Sequence, residues 1–300
     1  MNPIQPFPIE MDSDGPFAGI VVVRLEQPGS PVVVLDFALI QRIEATLRTI
    51  RGSATGFILA SASPRVFIAG ADLKSIQAMT DPELDAYLAY GQRVFGLISD
   101  LPFPTVAAIN GAALGGGLEI AMHCDALVAA PSASGKPYPV GLPEAGLSIC
   151  PGWGGTNLLP ARMDPADAIT RTAVGKPLTY DEAIAAQLFD AVAQTPESLI
   201  PTCKQWIVAQ RAKGLPDRSG APSRWIGHHD RKARVTAAIP ALRETLPATD
   251  SARAVLAAVA AGLESGWQAA LDVERKELVR LRSTPTGKAA IEAFFAKTQK

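Results

Sequence analysis

Cysteine and histidine are scarce in this chain. Its 300 residues include three cysteines and three histidines, and no CxxC pair or HExxH motif occurs. A disulfide framework, a cysteine-based zinc site and a helical zinc-protease motif are therefore all disfavoured. We expect no bound metal.

Long runs of like charge and of apolar residues are also missing. Lys and Arg number 28 against 29 Asp and Glu, and the basic residues form no long run. Nothing here attracts nucleic acid or an anionic membrane, and no apolar run reaches the 18 residues of a membrane span. The first residues lack Lys and Arg, unlike a secretory signal. We expect a cytoplasmic protein without nucleic-acid or membrane partners.

Apolar residues are abundant, at 48% of the chain. Strand-like and helical segments alternate through residues 1–195, which predicts an α/β core. Asp36 and the Asp81-Pro82 pair resemble helix N-termini. Beyond Pro196 the patterns are helical over residues 255–263, 267–282 and 288–297. We therefore predict a core over residues 1–195 and a helical C-terminal region over residues 196–300.

Three successive glycines, Gly115 to Gly117, precede a predicted helix. Glycine costs about 1 kcal/mol relative to Ala in a helix, so such a run indicates the close approach of a ligand or of another backbone segment. The free N–H groups at a helix start favour an anion, or a carbonyl oxygen that becomes anionic. Neither GxxxxGK[ST] nor GxGxxG is present, which disfavours nucleotide binding.

Two glutamates, Glu119 and Glu144, lie among apolar neighbours. A carboxylate in such surroundings is costly to bury unless it is paired, protonated or used. Two converging carboxyl groups could hold one water molecule and transfer protons from opposite ends. The alternative is that each caps a loop or accepts backbone N–H groups. The pattern alone leaves both possibilities open.

Three segments, FIAGADLK (residues 67–74), NGAALGGGLEIAMHCD (110–125) and GLPEAGLSICPGWGGT (141–156), resemble the crotonase superfamily, the enoyl-CoA hydratase/isomerase group. The segment ALDVERKELVRLRST further resembles the hydratase part of multifunctional fatty-acid-oxidation α-subunits. The resemblance implies a spiral of ββα units. Its helical C-terminal region would cover the active site or mediate oligomerisation. Those α-subunits continue into a dehydrogenase, which we expect to be absent here.

The activity that the resemblance implies is that of an enoyl-CoA hydratase, a lyase. Water adds syn across the 2,3-double bond of a trans-2-enoyl-CoA and gives the 3-hydroxyacyl-CoA. The backbone N–H groups of Ala71 and Gly116 would form the oxyanion hole, so Gly116→Val should block it. Glu119 would deprotonate the water and Glu144 would protonate the α-carbon. No cofactor is implied, since coenzyme A belongs to the substrate.

The resemblance also implies substrate contacts and an assembly, a homotrimer or a dimer of trimers. Arg65 and Lys74 are alternatively ordinary solvated loop charges. The residues expected to contact the acyl-CoA are Ser63, Arg65, Ala69, Gly70, Asp72, Leu73, Lys74, Gly115, Pro143, Phe294 and Lys297.

Other functions within the resemblance remain open. Some relatives isomerise double bonds or hydrolyse acyl-CoA, and others are non-catalytic RNA-binding proteins. Retention of both glutamates favours hydration, and the near-neutral charge disfavours RNA binding. His123, one turn beyond Glu119, is expected to be either a core histidine or a group that tunes Glu119.

Overall fold

The computed structural model describes residues 4–30, 32–50, 52–215, 218 and 220–298, and within them the strands form two sheets. The larger sheet has the order β1-β2-β3-β5-β7-β10 and the smaller has β4-β6-β8-β9. The strands are β1 (Ile9–Met11), β2 (Ile20–Leu25), β3 (Gly56–Ser61), β4 (Val66–Ile68), β5 (Thr105–Ile109), β6 (Ala112–Leu114), β7 (Ala126–Ala129), β8 (Pro139–Gly141), β9 (Leu178–Thr179) and β10 (Ala191–Val192).

From β3 to β8 the chain alternates between the sheets, one strand in the larger and the next in the smaller. Helices follow these strand pairs, as expected for repeated ββα units. The helices are α1 (Phe37–Thr49), α2 (Leu73–Ala78), α3 (Asp81–Ser99), α4 (Gly116–Met122), α5 (Gly155–Leu158), α6 (Pro165–Val174), α7 (Tyr180–Ala185), α8 (Leu199–Lys213), α9 (His229–Thr245), α10 (Asp250–Ser265), α11 (Trp267–Ser283) and α12 (Pro285–Thr298). The predicted α/β class is confirmed.

Local capping explains where the first long helices begin. The Asp36 side chain accepts a hydrogen bond from the Leu39 amide at 2.7 Å, so Asp36 caps α1 as predicted. Helix α3 is capped one residue earlier than its acidic start indicated. Thr80 and Glu83 form a capping box there, and Asp81 is the first helical residue.

Both faces of the larger sheet are buried, because successive side chains of a strand point to opposite sides. In β2, Val21 and Val23 face the main core, while Ile20 and Val22 face α8 and its Ile207. Helix α8 therefore packs on the sheet, although it lies in the predicted C-terminal region. The boundary at residue 195 stays a prediction.

The helices predicted near the C-terminus lie within α10, α11 and α12, and α8 and α9 precede them. Helix α11 packs against α3, α10 and α12, which places it beside the core. None of the helices described combines the length and the apolarity needed to cross a membrane.

Candidate active site

The smaller sheet brings the three chemistry-bearing segments together. Strands β4, β6 and β8 are parallel neighbours, so their carboxyl ends lie at one edge. Ala71 follows β4, Gly116 follows β6 and Glu144 follows β8. The amide of Gly115 donates to the carbonyl of Gly141 at 2.9 Å and joins two of these strand ends.

Two backbone N–H groups at this edge have no acceptor within the part of the chain that the structure describes. Leu35 donates to the Gly70 carbonyl at 2.8 Å and accepts from the Asp72 amide at 3.2 Å. In such a parallel pairing the intervening Ala71 turns its own N–H away from Leu35. Gly116 is the first residue of α4, so its N–H has no intrahelical acceptor.

Ala71, Gly116, Glu119 and Glu144 all line one cavity of about 360 Å³. The rest of its wall is mainly apolar, which strengthens electrostatic interactions inside it. Its larger apolar side chains are Leu73, Ile76, Leu88, Leu114, Leu147, Ile149, Trp153, Leu278 and Phe294. The sequence-predicted acid pair and the predicted N–H pair therefore share a single chamber.

Glu119 is buried, with 1% of its surface exposed. Its Oε1 accepts the amides of Trp153 at 2.7 Å and Gly155 at 2.8 Å. Among the described residues, Oε2 has no hydrogen-bond partner. Burial raises the pKa of Glu119 well above its ordinary value, and the carboxylates of Glu274 and Glu144 raise it further. The hydrogen bonds from the two amides act in the opposite direction and lower the pKa, but they do not outweigh burial. One oxygen thus anchors the side chain and the other remains available.

Glu144 lies against the backbone of Gly115. A Cβ added at that glycine would stand 2.6 Å from Oε1, and the φ of +52° also favours glycine. Oε2 of Glu144 is buried without a partner among the residues described. Burial, with a smaller contribution from Glu274, raises the pKa of Glu144 to about 8. Glu144 is therefore a carboxylic acid at neutral pH, able to donate a proton.

A third carboxylate, Glu274 of α11, is fully buried beside this pair. It accepts the Gly154 amide at 2.5 Å, the Thr156 amide at 2.8 Å and the Thr156 hydroxyl at 2.5 Å. The sequence analysis did not single it out, although a signal existed. Glu274 lies three residues after the buried Leu271 and four before the buried Leu278, so it belongs to the apolar face of α11. A carboxylate on that face is the signal.

His123 is a buried histidine that holds Trp153. Its Nε2 lies 3.1 Å from the Trp153 carbonyl oxygen, and burial lowers its pKa to about 4. A neutral ring with Nε2 protonated donates to that carbonyl, while the Trp153 amide donates to Glu119. Of the two alternatives, the structure supports the core histidine, which contacts the cavity wall through Trp153.

A family model described as enoyl-CoA hydratase/isomerase matches residues 16–213. The chain belongs to this family. The resemblance inferred from the three segments is confirmed.

Curated relatives of this enoyl-CoA hydratase/isomerase family member are longer than the chain itself. It is 32% identical over 304 residues to the fatty acid oxidation complex subunit alpha of Vibrio cholerae serotype O1, a match that covers 92% of the chain and 40% of the relative. The subunit of the same name from Vibrio vulnificus is also 32% identical, with 93% and 40% covered. The chain thus spans about 40% of the length of these relatives.

Solved structures share the fold over nearly the whole chain. Human mitochondrial delta3-delta2-enoyl-CoA isomerase superposes with a TM-score of 0.70 at 21% identity, covering 98% of both chains. An enoyl-CoA hydratase from Bacillus halodurans gives 0.68 at 20% identity, covering 96% of this chain and 99% of its own. The crotonase-like fold is confirmed, and the neighbours include both an isomerase and a hydratase.

The residues expected to contact the acyl-CoA fall into two groups. Those that line the cavity are Ala69, Gly70, Leu73, Gly115, Pro143 and Phe294. Those outside its lining are Ser63, Arg65, Asp72, Lys74 and Lys297. Asp72 caps α2, because its side chain accepts the Lys74 amide at 3.1 Å and the Ser75 hydroxyl at 2.5 Å.

The other members of the second group lie at the surface or within the backbone network. Arg65, Lys74 and Lys297 are exposed. Ser63 is buried, and its carbonyl accepts the Asn110 side-chain amide at 2.7 Å. Their contact with a coenzyme stays a prediction.

The expected effect of Gly116→Val changes in the light of the structure. A Cβ at Gly116 would stand 2.3 Å from Cζ3 of Trp153, so the added side chain enters the indole ring instead of simply filling the oxyanion hole. We expect a loss of about 1–3 kcal/mol in the free energy of unfolding from overpacking. Urea denaturation measures it, with Gly96→Val as control because a Cβ there meets nothing within 4 Å. Equal midpoints for both variants would contradict the clash.

Proposed function

We propose that this protein is an enoyl-CoA hydratase that adds water syn across the 2,3-double bond of a trans-2-enoyl-CoA. The observation that carries the proposal is the shared cavity, where Glu119 and Glu144 lie beside the N–H groups of Ala71 and Gly116. Two carboxyl groups and a pair of fixed N–H donors are what the addition of water to an unsaturated thioester requires.

The roles follow from the environment of each group. The thioester carbonyl oxygen accepts the two N–H groups, which stabilise the negative charge that develops there. Glu119, with its available Oε2, takes a proton from water as the oxygen bonds to C3. Glu144 delivers its proton to C2, so water is added without any change of oxidation state. Exchange with solvent then restores both carboxyl groups.

The lining of the cavity favours a thioester substrate with an apolar acyl group. Its lining is dominated by aliphatic side chains and glycine, and its ionisable groups are the two glutamates. Glycines at positions 70, 115 and 116 allow a substrate carbonyl to approach the backbone closely. The names of the relatives, which include enoyl-CoA hydratases and a fatty acid oxidation subunit, agree with this substrate class.

Enoyl-CoA isomerisation is the second candidate. An isomerase is among the structural neighbours, and a single carboxyl group can move a proton between the α- and γ-carbons. Glu144, whose buried Oε2 has no partner among the described residues, is our candidate for such a transfer. Isomerisation needs no attacking water, so it gives Glu119 no role as a base.

Parallel assays of the purified protein test the proposal. Crotonyl-CoA, a 3-enoyl-CoA and a saturated acyl-CoA are supplied separately, and 3-hydroxyacyl-CoA, 2-enoyl-CoA and free coenzyme A are quantified. We expect 3-hydroxyacyl-CoA from crotonyl-CoA at the highest kcat/KM. Isomerisation without hydration, or thioester hydrolysis alone, would overturn the assignment.

The pH dependence of kcat/KM for hydration should reveal the ionisation of Glu144, the proposed acid. Glu144 must be protonated to act, and its raised pKa of about 8 keeps it so at neutral pH. We therefore expect kcat/KM for hydration to fall as the pH rises above about 8, approaching tenfold per pH unit. Stopped-flow rates between pH 6 and 10 measure this, with folding checked by circular dichroism. A profile that is flat to pH 10 would exclude Glu144 as the acid.

We also propose, from the family resemblance, that the enzyme works in the cytoplasm as a homotrimer or dimer of trimers and uses no metal or redox cofactor. Light scattering coupled to size-exclusion chromatography measures the assembly. Turnover after exhaustive dialysis against a chelator tests the cofactor statement.

A further inference from the structure

Two buried carboxylates divide the amides of one loop between them. The loop, defined as residues 152–156 with the sequence GWGGT, includes the first two residues of α5 and contributes Gly152 and Trp153 to the cavity wall. The amides of Trp153 and Gly155 donate to Glu119, whereas those of Gly154 and Thr156 donate to Glu274. Four consecutive amides thus alternate between a carboxylate that lines the cavity and one that does not.

Glu274 is not accessible to a substrate. Its two oxygens accept two amides and one hydroxyl, and no part of its surface is exposed. Amide nitrogens can only donate, and the Thr156 hydroxyl accepts from the Asn157 side-chain amide at 2.9 Å while donating to Glu274. All three partners favour an ionised, purely accepting Glu274, whereas burial acts against them and raises its pKa to about 7. Burying such a charge is costly, which indicates a purpose beyond packing.

Helix α11 is fixed near its C-terminal end as well. Arg282 donates to the Met79 carbonyl and to the Asp81 carboxylate, both at 2.5 Å, and to the Ile76 carbonyl at 3.2 Å. These acceptors lie at the end of α2 and the start of α3. Helix α11 therefore connects the loop that holds Glu119 with the segment that follows Ala71.

We propose that Glu274 is a positioning residue that holds the loop at residues 152–156 so that Glu119 presents its free oxygen to the attacking water. The proposal rests on the proposed hydratase function. If Glu274 released its amides, the loop and the two N–H groups that anchor Glu119 Oε1 would move together. The charge of Glu274 also raises the pKa of Glu119.

Glu274→Gln is the first test. A glutamine must turn its own NH2 group toward the Gly154 or Thr156 amide, so one donor then faces another. We expect kcat for crotonyl-CoA hydration to fall about 10- to 100-fold, with KM within about twofold of wild type. The matched control is Glu277→Gln, one turn further along α11, where the carboxylate pairs with Arg280 at the surface.

The pH profile separates positioning from loss of stability. Removing the negative charge of Glu274 lowers the pKa of Glu119, so the acid limb of kcat/KM should move to lower pH. The other titratable groups near Glu119 are Glu144, the Cys150 thiol, Tyr87 and the neutral His123, and all are unchanged in the variant. Glu277→Gln should leave the acid limb in place.

A second pair of variants decides the matter if Glu274→Gln does not fold. Thr156→Val removes the hydroxyl bond to Glu274 and keeps the amide, whereas Thr156→Ser keeps both donors. We expect Thr156→Val to lower kcat several-fold and Thr156→Ser to restore it to near wild type. Equal kcat values for the valine and serine variants would overturn the proposal.

The outcomes distinguish this proposal from the proposed function. Hydrogen–deuterium exchange of the loop peptide should be faster in Glu274→Gln than in Glu277→Gln, whatever reaction the enzyme catalyses. A wild-type protein without hydratase turnover would overturn the function, and with it the role in water activation. A hydratase whose folded Glu274→Gln variant matches Glu277→Gln in kcat and pH profile would overturn the positioning role alone.

Discussion

Glu144→Gln is expected to lower kcat for crotonyl-CoA hydration by about 10²- to 10⁴-fold, the usual contribution of a general acid. An amide of nearly the same shape cannot deliver a proton to the α-carbon. Stopped-flow measurement of the consumption of crotonyl-CoA gives kcat and KM separately. The control is Glu244→Gln, the same chemical change at an exposed position of α9.

The structure indicates why this variant should fold normally. Oε2 of Glu144 has no hydrogen-bond partner among the described residues, so replacing it with an amide breaks no existing hydrogen bond at that atom. We therefore expect the urea midpoint and KM to stay close to wild type while kcat falls. A variant that retains more than a third of the wild-type kcat would remove Glu144 from the mechanism.

Glu119→Gln is expected to lower hydration by a similar factor, about 10²- to 10⁴-fold, because the amide is no base for water. The glutamine carbonyl can still accept the amides of Trp153 and Gly155, so the loop should stay in place. Any isomerisation of a 3-enoyl-CoA should survive better than hydration, since it needs no attacking water. The two rates are measured on one preparation of each variant.

Glu119→Ala tests the structural role of the same side chain. It leaves two buried N–H groups without an acceptor, at a cost of about 1–3 kcal/mol for each. We expect a lower urea midpoint for Glu119→Ala but not for Glu119→Gln. Equal losses of hydration and isomerisation in a stable Glu119→Gln protein would contradict the assignment of Glu119 as the base for water.

Short-range chemistry made much of the fold predictable. Asp36 marks the start of α1 because a side chain that accepts an amide bond acts within one turn. Glu119 and Glu144 could be found because an acid among apolar neighbours is unusual whatever the fold. Helix α9 was not predicted, since it contains Pro240 and buries little beyond Val235 and Leu242. So few buried apolar residues give too weak a periodicity to predict a helix.

Contacts between distant segments were beyond the reach of the sequence. The bonds from Glu274 to Gly154 and Thr156 span 120 and 118 residues, so no local spacing announces them. The neighbour that a side chain added at a glycine would meet is equally hidden in the sequence, because it also depends on contacts between distant segments. At Gly116 it points at Trp153, which only the packed structure reveals.

The hydrogen bonds from Gly154 and Thr156 to Glu274 have a consequence for the order in which a new chain folds. The N-terminus of a nascent chain leaves the ribosome first. Helix α11 therefore emerges after every strand and after the loop at residues 152–156. Contacts so far apart along the polymer are slow to close during folding. A nascent chain should therefore complete its sheets first and gain the proposed hydratase activity last, once α11 has docked.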